Sequence, residues 1–257
     1  MLVTTSYDPN PEQLAEAQRL ARELGGRAVA RRQMTFAMLR RRFGDEDILL
    51  VSKERIEYHH EQRQPLFFHP STAAVRIKRL NNGENDPLLE LAGIRPGDRV
   101  IDCTAGLGSD AIVFSFAAGN DGKVTALESA RMPGFLLKQG LQTYESDVPG
   151  LNEAMRRIQV LHEDHLPFLL RQPDQSAEFV YFDPMFRKPI TESASIRAIR
   201  GIADERALSS EAIREAVRVA TKAVVLKEHR DSEEFERLGF TEVQRSGSKL
   251  AYGVIRC

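Results

Sequence analysis

The sequence predicts an α/β fold. The expected core is a seven-stranded, mostly parallel sheet with helices on both faces and a C-terminal antiparallel hairpin, preceded by a small N-terminal α+β region. Three observations predict it. From Asp86 onward, short apolar runs alternate regularly with helical patterns. Those runs are apolar at consecutive positions, as strands buried on both faces are. The last two runs are joined too tightly for a crossover, so they pair antiparallel.

The elements follow in order. "PEQLAEAQRLARELG" reads as a helix, with Pro11 in its first turn, Leu14, Ala17, Leu20, Ala21 and Leu24 at helical spacing, and Gly25-Gly26 as its stop. "RAVARRQMTFAMLRRRF" sets Met34, Phe36, Met38 and Leu39 among arginines in the manner of an amphipathic helix. "ILLVSKERIEYHH" reads as one or two short strands, and "HPSTAAVRIKRLNNG" as a helix opened by Ser71. Residues 1–80 are assigned to the N-terminal region and 81–257 to the main domain. There, "DPLLELAGI" is helical, "DRVIDCTAG" is a strand into a glycine turn, and "SDAIVFSFAAG" is a helix. "KVTALES", "RIQVLHED", "EFVYFDP" and "KAVVLKEH" are the next four strands, with helical segments between and after them; "FTEVQRSG" and "KLAYGVIRC" form the final pair.

The totals narrow the function classes. The chain has 257 residues, 42% hydrophobic and 28% charged, enough for one large domain with an appendage. No apolar run approaches the roughly 20 residues of a membrane span. The first residues, "MLVTTSYDPNPEQ", lack the basic and apolar regions of a signal peptide. Cys103 and Cys257 make neither a disulfide framework nor a metal-ligand spacing. These features predict a cytoplasmic protein with no membrane partner and no metal. The net charge is −1, yet Arg27, Arg31, Arg32, Arg40, Arg41 and Arg42 fall in a stretch without an acid, and "RIKRL" adds Arg76, Lys78 and Arg79. Such runs suit a solvated helix face and a phosphate-binding surface equally.

In a doubly wound sheet, ligands bind at the carboxyl ends of the strands. The first strand ends in "DCTAGLGSD", where Gly106 and Gly108 permit a sharp turn and a close backbone approach. This is not the dinucleotide pattern G-x-G-x-x-G, because Ala stands at 111 and Asp102 precedes the turn. That carboxylate, with Asp110 beyond the loop, suits a cationic ligand better than a pyrophosphate. Glu128 closes the second strand, at the spacing of an acid that accepts from ribose hydroxyls. Asp164 follows the third strand as a candidate acceptor for an adenine amino group, with His165 beside it. The fourth strand delivers Asp183-Pro184-Met185-Phe186. There Asp183 and a backbone carbonyl can hold an exocyclic amine, Pro184 rigidifies the turn, and Phe186 offers a face for stacking a base.

"DCTAGLGSDA", "ALES" and "YFDPMF" resemble the ribosomal small-subunit methyltransferase J family, over roughly residues 86–257. Asp-Pro-Met-Phe is also a variant of the wider Asn/Asp-Pro-Pro-Tyr/Phe motif of amino-group methyltransferases. The resemblance implies a Rossmann-like class I methyltransferase fold, with S-adenosylmethionine as methyl donor and the exocyclic N2 amine of a guanine in 16S rRNA as acceptor. It implies cofactor contacts at Ser109, Asp110, Glu128, Ser129, Asp164, His165 and Asp183, joined by the loop residues Asp102, Ala105, Gly106 and Gly108. Catalysis would fall to Asp183, Pro184 and Phe186. Arg76, Arg79, Arg187 and Lys188 would hold the RNA or the small ribosomal subunit. Ser109 stands where the family usually has arginine. A methyltransferase for a small molecule or a protein side chain, and a non-catalytic S-adenosylmethionine-binding protein, are the competing readings.

Overall fold

The computed structural model describes residues 1–184, 206–245 and 249–257. The chain divides into two compact units, the first of residues 1–68 and the second beginning at His69. The boundary thus precedes the one read from the sequence. The Ser71–Asn81 helix belongs to the second unit, where it buries Ala73 and Ile77 and packs on the Ser109–Ala118 helix.

In the first unit, β1 (Leu2–Thr5) lies parallel to β2 (Arg27–Ala28) on one side and β3 (Ile48–Val51) on the other. β3, β4 (Ile56–His59) and β5 (Leu66–Phe67) continue as an antiparallel meander. The Pro11–Glu23 helix opens on a reciprocal cap: Asn10 Oδ1 accepts from the Gln13 backbone N–H, and Gln13 Oε1 accepts from that of Asn10. Its Ala17, Leu20 and Ala21 are buried, whereas Leu14 faces solvent. The arginine-rich stretch is not one helix. Arg27 and Ala28 join the sheet, and only Phe36–Phe43 is helical, started by Thr35, whose hydroxyl accepts from the Met38 N–H. Backbone pairing with β1 satisfies Arg27 and Val29 better than a helix without a cap does.

The second unit is built on a seven-stranded sheet. Its strands are β6 (Arg99–Asp102), β7 (Lys123–Leu127), β8 (Gln159–Leu161), β9 (Ala177–Phe182), β10 (Ala220–His229), β11 (Glu242–Arg245) and β12 (Leu250–Arg256), in the order β11-β12-β10-β9-β6-β7-β8. β6 to β10 are parallel; β12 runs antiparallel between β10 and β11. This is the doubly wound sheet with a terminal antiparallel pair that the sequence predicts. Val180, Phe182, Val224 and Leu226 at its centre are buried, each worth roughly 1.5–3 kcal/mol relative to exposure. The strand order reverses between β6 and β9, so their carboxyl ends flank the crevice in which ligands of such sheets bind.

Candidate active site

The crevice is shaped first by backbone. After β6 the chain turns through Gly106 (φ 56°) and Gly108 (φ 80°) before the Ser109–Ala118 helix starts. A Cβ at position 108 would lie 2.6 Å from Leu137 Cδ1, and Leu137 is buried. Position 108 therefore needs glycine for both conformation and space. Gly108→Val is expected to destabilise the domain by about 1–3 kcal/mol and to weaken cofactor binding, measured by thermal unfolding and calorimetry. An unchanged melting temperature would contradict the close contact with Leu137.

Glu128 sits just past β7 and is 6% exposed. One carboxylate oxygen accepts from the Gly106 N–H at 2.9 Å and the other from the Ala130 N–H at 2.7 Å. The acid thereby ties the glycine loop to the second strand end. Ser129 lies beside it, with its carbonyl 3.0 Å from His162 Nε2. Ala105 fixes the loop from within, donating its N–H to the Leu127 carbonyl at 2.9 Å. Ser109 is half-buried in the first turn of the following helix. Beyond β8, Asp164 caps the His165–Leu170 helix through the Leu166 N–H, 2.9 Å away, and pairs with Arg206. His165 stands edge-on to Phe182, with ring centroids 5.6 Å apart.

Asp102 is buried, and its Oδ1 accepts from the Thr104 N–H. Burial and the nearby Asp110 carboxylate push its pKa well above the usual range. Thr104 Oγ1 in turn accepts from the Asp183 N–H at 2.6 Å, clipping the ends of β6 and β9 together. The Asp183 side chain remains a quarter exposed.

A charged cluster lies behind Asp183. Lys227 Nζ, from β10, donates to Asp183 Oδ2 at 2.8 Å and to Asp110 Oδ2 at 3.0 Å. Asp110 Oδ2 also accepts from the Tyr181 hydroxyl at 2.8 Å, and Asp110 Oδ1 pairs with Arg76. Arg76 closes the cluster with a two-pronged contact to Asp86, at 2.7 and 2.9 Å. Burial opposes charging Asp110, but Lys227 and Arg76 outweigh it and hold the carboxyl far below the ordinary range. For Lys227 too, burial is outweighed by Asp110 and Asp183, which raise its pKa.

The structure thus brings Asp102, Ala105, Gly106, Gly108, Ser109, Glu128, Ser129, Asp164, His165, Asp183 and Pro184 to the carboxyl ends of neighbouring strands. Asp110 is engaged with Arg76, Lys227 and Tyr181 instead of lining open space. Arg76 points inward to two carboxylates, while Arg79 is exposed and paired with Glu84. Phe186, Arg187 and Lys188 lie outside the described residues. Lys227, Thr104 and Tyr181 are missing from the sequence-based set. A lone lysine in the apolar run "AVVLKEH" is the one signal that marked Lys227.

A parallel sheet ending in an antiparallel pair, a glycine turn after its first strand and an acid after its second define a class I S-adenosylmethionine-dependent methyltransferase. Comparisons with known proteins agree. Residues 34–244 match the family described as "Putative SAM-dependent methyltransferase", and the chain belongs to that family, in a branch like the ribosomal small-subunit methyltransferase J proteins. It is 41% identical to the uncharacterized protein YpiP of Bacillus subtilis, over 99% of both chains. It is 30% identical to the ribosomal RNA small subunit methyltransferase J of Serratia proteamaculans, over 70% of this chain and 74% of that one. It is also 30% identical to that of Laribacter hongkongensis, over 62% and 57%. The crystal structure of the SAM-dependent methyltransferase NGO1261 from Neisseria gonorrhoeae has the same fold, with a TM-score of 0.65 at 16% identity over 100% of this chain and 96% of that one.

The cofactor is S-adenosylmethionine, and the chemistry of the site fits it. The partly exposed Asp183 carboxyl suits a cation, and the glycine turn permits a close backbone approach. None of the described helices is long and apolar enough to cross a membrane.

Proposed function

We propose that this protein methylates the exocyclic N2 amine of a guanine in 16S rRNA, in the cytoplasm. The observation that carries the reading is the Asp183-Pro184 turn at the crevice. Its backbone is clipped to Thr104, and one of its carboxylate oxygens is held by Lys227. Asp102, Ala105, Gly106, Gly108, Ser109, Glu128, Ser129, Asp164 and His165 would hold the cofactor, which supplies an electrophilic methyl group. Glu128, just past the second strand of the domain, would accept from ribose hydroxyls, and Asp164 from the adenine amine. The exocyclic amine of a base is a poor nucleophile, because its lone pair is delocalised into the ring. Asp183 and a carbonyl of the turn would accept its hydrogens and orient it. They would also stabilise the positive charge that develops on nitrogen. The amine sheds one proton as it gains the methyl, so Asp183 need not be a strong base. Phe186 would stack the base, and Arg187 and Lys188 would meet phosphates. The target guanine would be unstacked into the site.

The RNA reading gains support from the first unit. Arg27, Arg31, Arg32, Arg40, Arg41 and Arg42 form no ion pair among the described residues, while Arg19 and Arg55 do. Arg31 lies over both the Tyr7 and Phe36 rings, at 4.0 and 4.4 Å. Unpaired guanidiniums held on aromatic faces are ready to meet phosphates and bases. Reversing Arg40, Arg41 and Arg42 to glutamate is expected to weaken RNA binding at least about tenfold and to flatten its salt dependence, because fewer counterions are released. Unchanged binding with lowered stability would make the stretch a structural surface only.

Mass spectrometry of rRNA nucleosides from cells with and without the gene tests the proposal. Loss of one N2-methylguanosine supports it. Unaltered rRNA, together with methyl transfer to a small molecule or a protein, would replace it. Cofactor binding with no transfer to any acceptor would make the chain a binding protein.

A further inference from the structure

We propose that Lys227 is a positioning residue for methyl transfer: it holds Asp183 Oδ2 from behind and so presents Asp183 Oδ1 to the incoming amine. The inference rests on Asp183 being the acceptor for that amine.

The geometry is asymmetric. Asp183 Oδ2 is 2.8 Å from Lys227 Nζ, whereas Oδ1 accepts no hydrogen bond from a described residue. Lys227 cannot swing away freely, because Asp110 holds the same ammonium at 3.0 Å. Asp110 is fixed in its turn by Arg76 and Tyr181, and Arg76 by Asp86. The carboxylate plane of Asp183 is therefore set by a chain of contacts through the Ser71–Asn81 and Ser109–Ala118 helices and through β9 and β10.

Charge points the same way. Asp86, Asp110 and Asp183 face two cations, Arg76 and Lys227, so one negative charge is left over. It sits at the solvent edge of the cluster, on Asp183, where an amine acquires positive charge. Lys227 also favours the ionised form of that carboxyl against burial and Asp110. The groups facing Asp183 are Lys227 on β10, Asp110 and Arg76 on the two helices, Asp102 on β6, Tyr181 on β9 and Tyr252 on β12. Burial raises the Asp183 pKa and Asp110 adds to the rise, while Lys227 and Arg76 oppose them. A carboxylate without Lys227 would take up a proton at higher pH and lose its value as an acceptor.

The test compares wild type, Lys227→Met and Asp110→Asn by two readouts. One is the pH profile of kcat for transfer to rRNA under saturating S-adenosylmethionine. The other is the titration of the Asp183 side-chain carbonyl by 13C NMR, which needs no turnover. Removing Lys227 should move the acid limb and the Asp183 titration upward by about one pH unit or more. Below the limb, kcat should fall about tenfold for each unit. Removing the Asp110 charge should move both downward. Opposite shifts are not what a merely structural role would give. If Lys227→Met fails to fold, the downward shift in Asp110→Asn decides alone. Identical Asp183 titrations in all folded variants would overturn the proposal, as would a loss of activity in Lys227→Met confined to cofactor affinity. If even the wild type methylates no RNA, the choice of substrate falls, and the Asp183 titration still tests Lys227.

Discussion

Asp183→Ala is expected to reduce methyl transfer by at least about 10²–10³-fold while S-adenosylmethionine still binds. The magnitude follows from what the side chain is asked to do. Its Oδ1 accepts from no described residue, and under the proposed role alanine would leave an amine there with neither orientation nor compensating charge. The fold should survive. Lys227 loses one partner but keeps Asp110, and the backbone clip from Asp183 N–H to Thr104 needs no side chain at 183. Single-turnover kinetics with labelled cofactor, alongside a melting curve, check both halves. Full activity in the variant would end the assignment of Asp183. A variant that binds no cofactor would move its role from the acceptor to the donor.

Glu128→Ala has the second large expected effect, and on a different quantity. The carboxylate accepts two backbone N–H groups, from Gly106 and Ala130, at a site almost closed to water. Hydrogen bonds to a charged group are each worth about 1.5–3 kcal/mol, and truncation leaves both donors stranded. Alanine should therefore lower stability by about 2 kcal/mol or more and weaken S-adenosylmethionine binding by at least about tenfold. Glu128→Gln separates the two roles. The amide keeps one acceptor oxygen and sets its NH2 against the other backbone N–H, so stability should recover only in part, while the proposed ribose recognition by a carboxylate should not recover. Calorimetric titration of both variants reads the difference; equal affinities for wild type and alanine would remove Glu128 from the cofactor site.

Much of this site was legible because it is local. Each strand of the parallel sheet ends a few residues after its apolar run, and an acid, glycine or proline found there is already placed at the crevice. Gly106, Gly108, Glu128, Asp164 and Asp183 needed no tertiary information. Arg76 and Asp110 were harder. Charge is visible in a sequence, but the partner of a charge is not, and a helix pattern leaves open whether an arginine looks outward to phosphate or inward to a carboxylate. Lys227 was harder still, because its two partners lie 117 and 44 positions away. The first unit shows the same limit. "LVTT" is too short to carry a period, yet Leu2–Thr5 pairs on both sides and organises the sheet. Nothing in the stretch from Arg27 to Phe43 betrays that its first two residues are drawn into that sheet.

The placement of β12 bears on how the protein is made. β12 lies between β10 and β11, although both precede it in the chain. Until its residues have emerged from the ribosome, β11 has nothing to pair with and β10 shows an open edge, the kind of surface that invites wrong partners. Lys227 sits on that edge strand, opposite Tyr252. The nascent domain can form its glycine loop early, since β6, β7 and β9 are already neighbours. The strand that carries the lysine behind Asp183 is enclosed last, after the glycine turn has its neighbours.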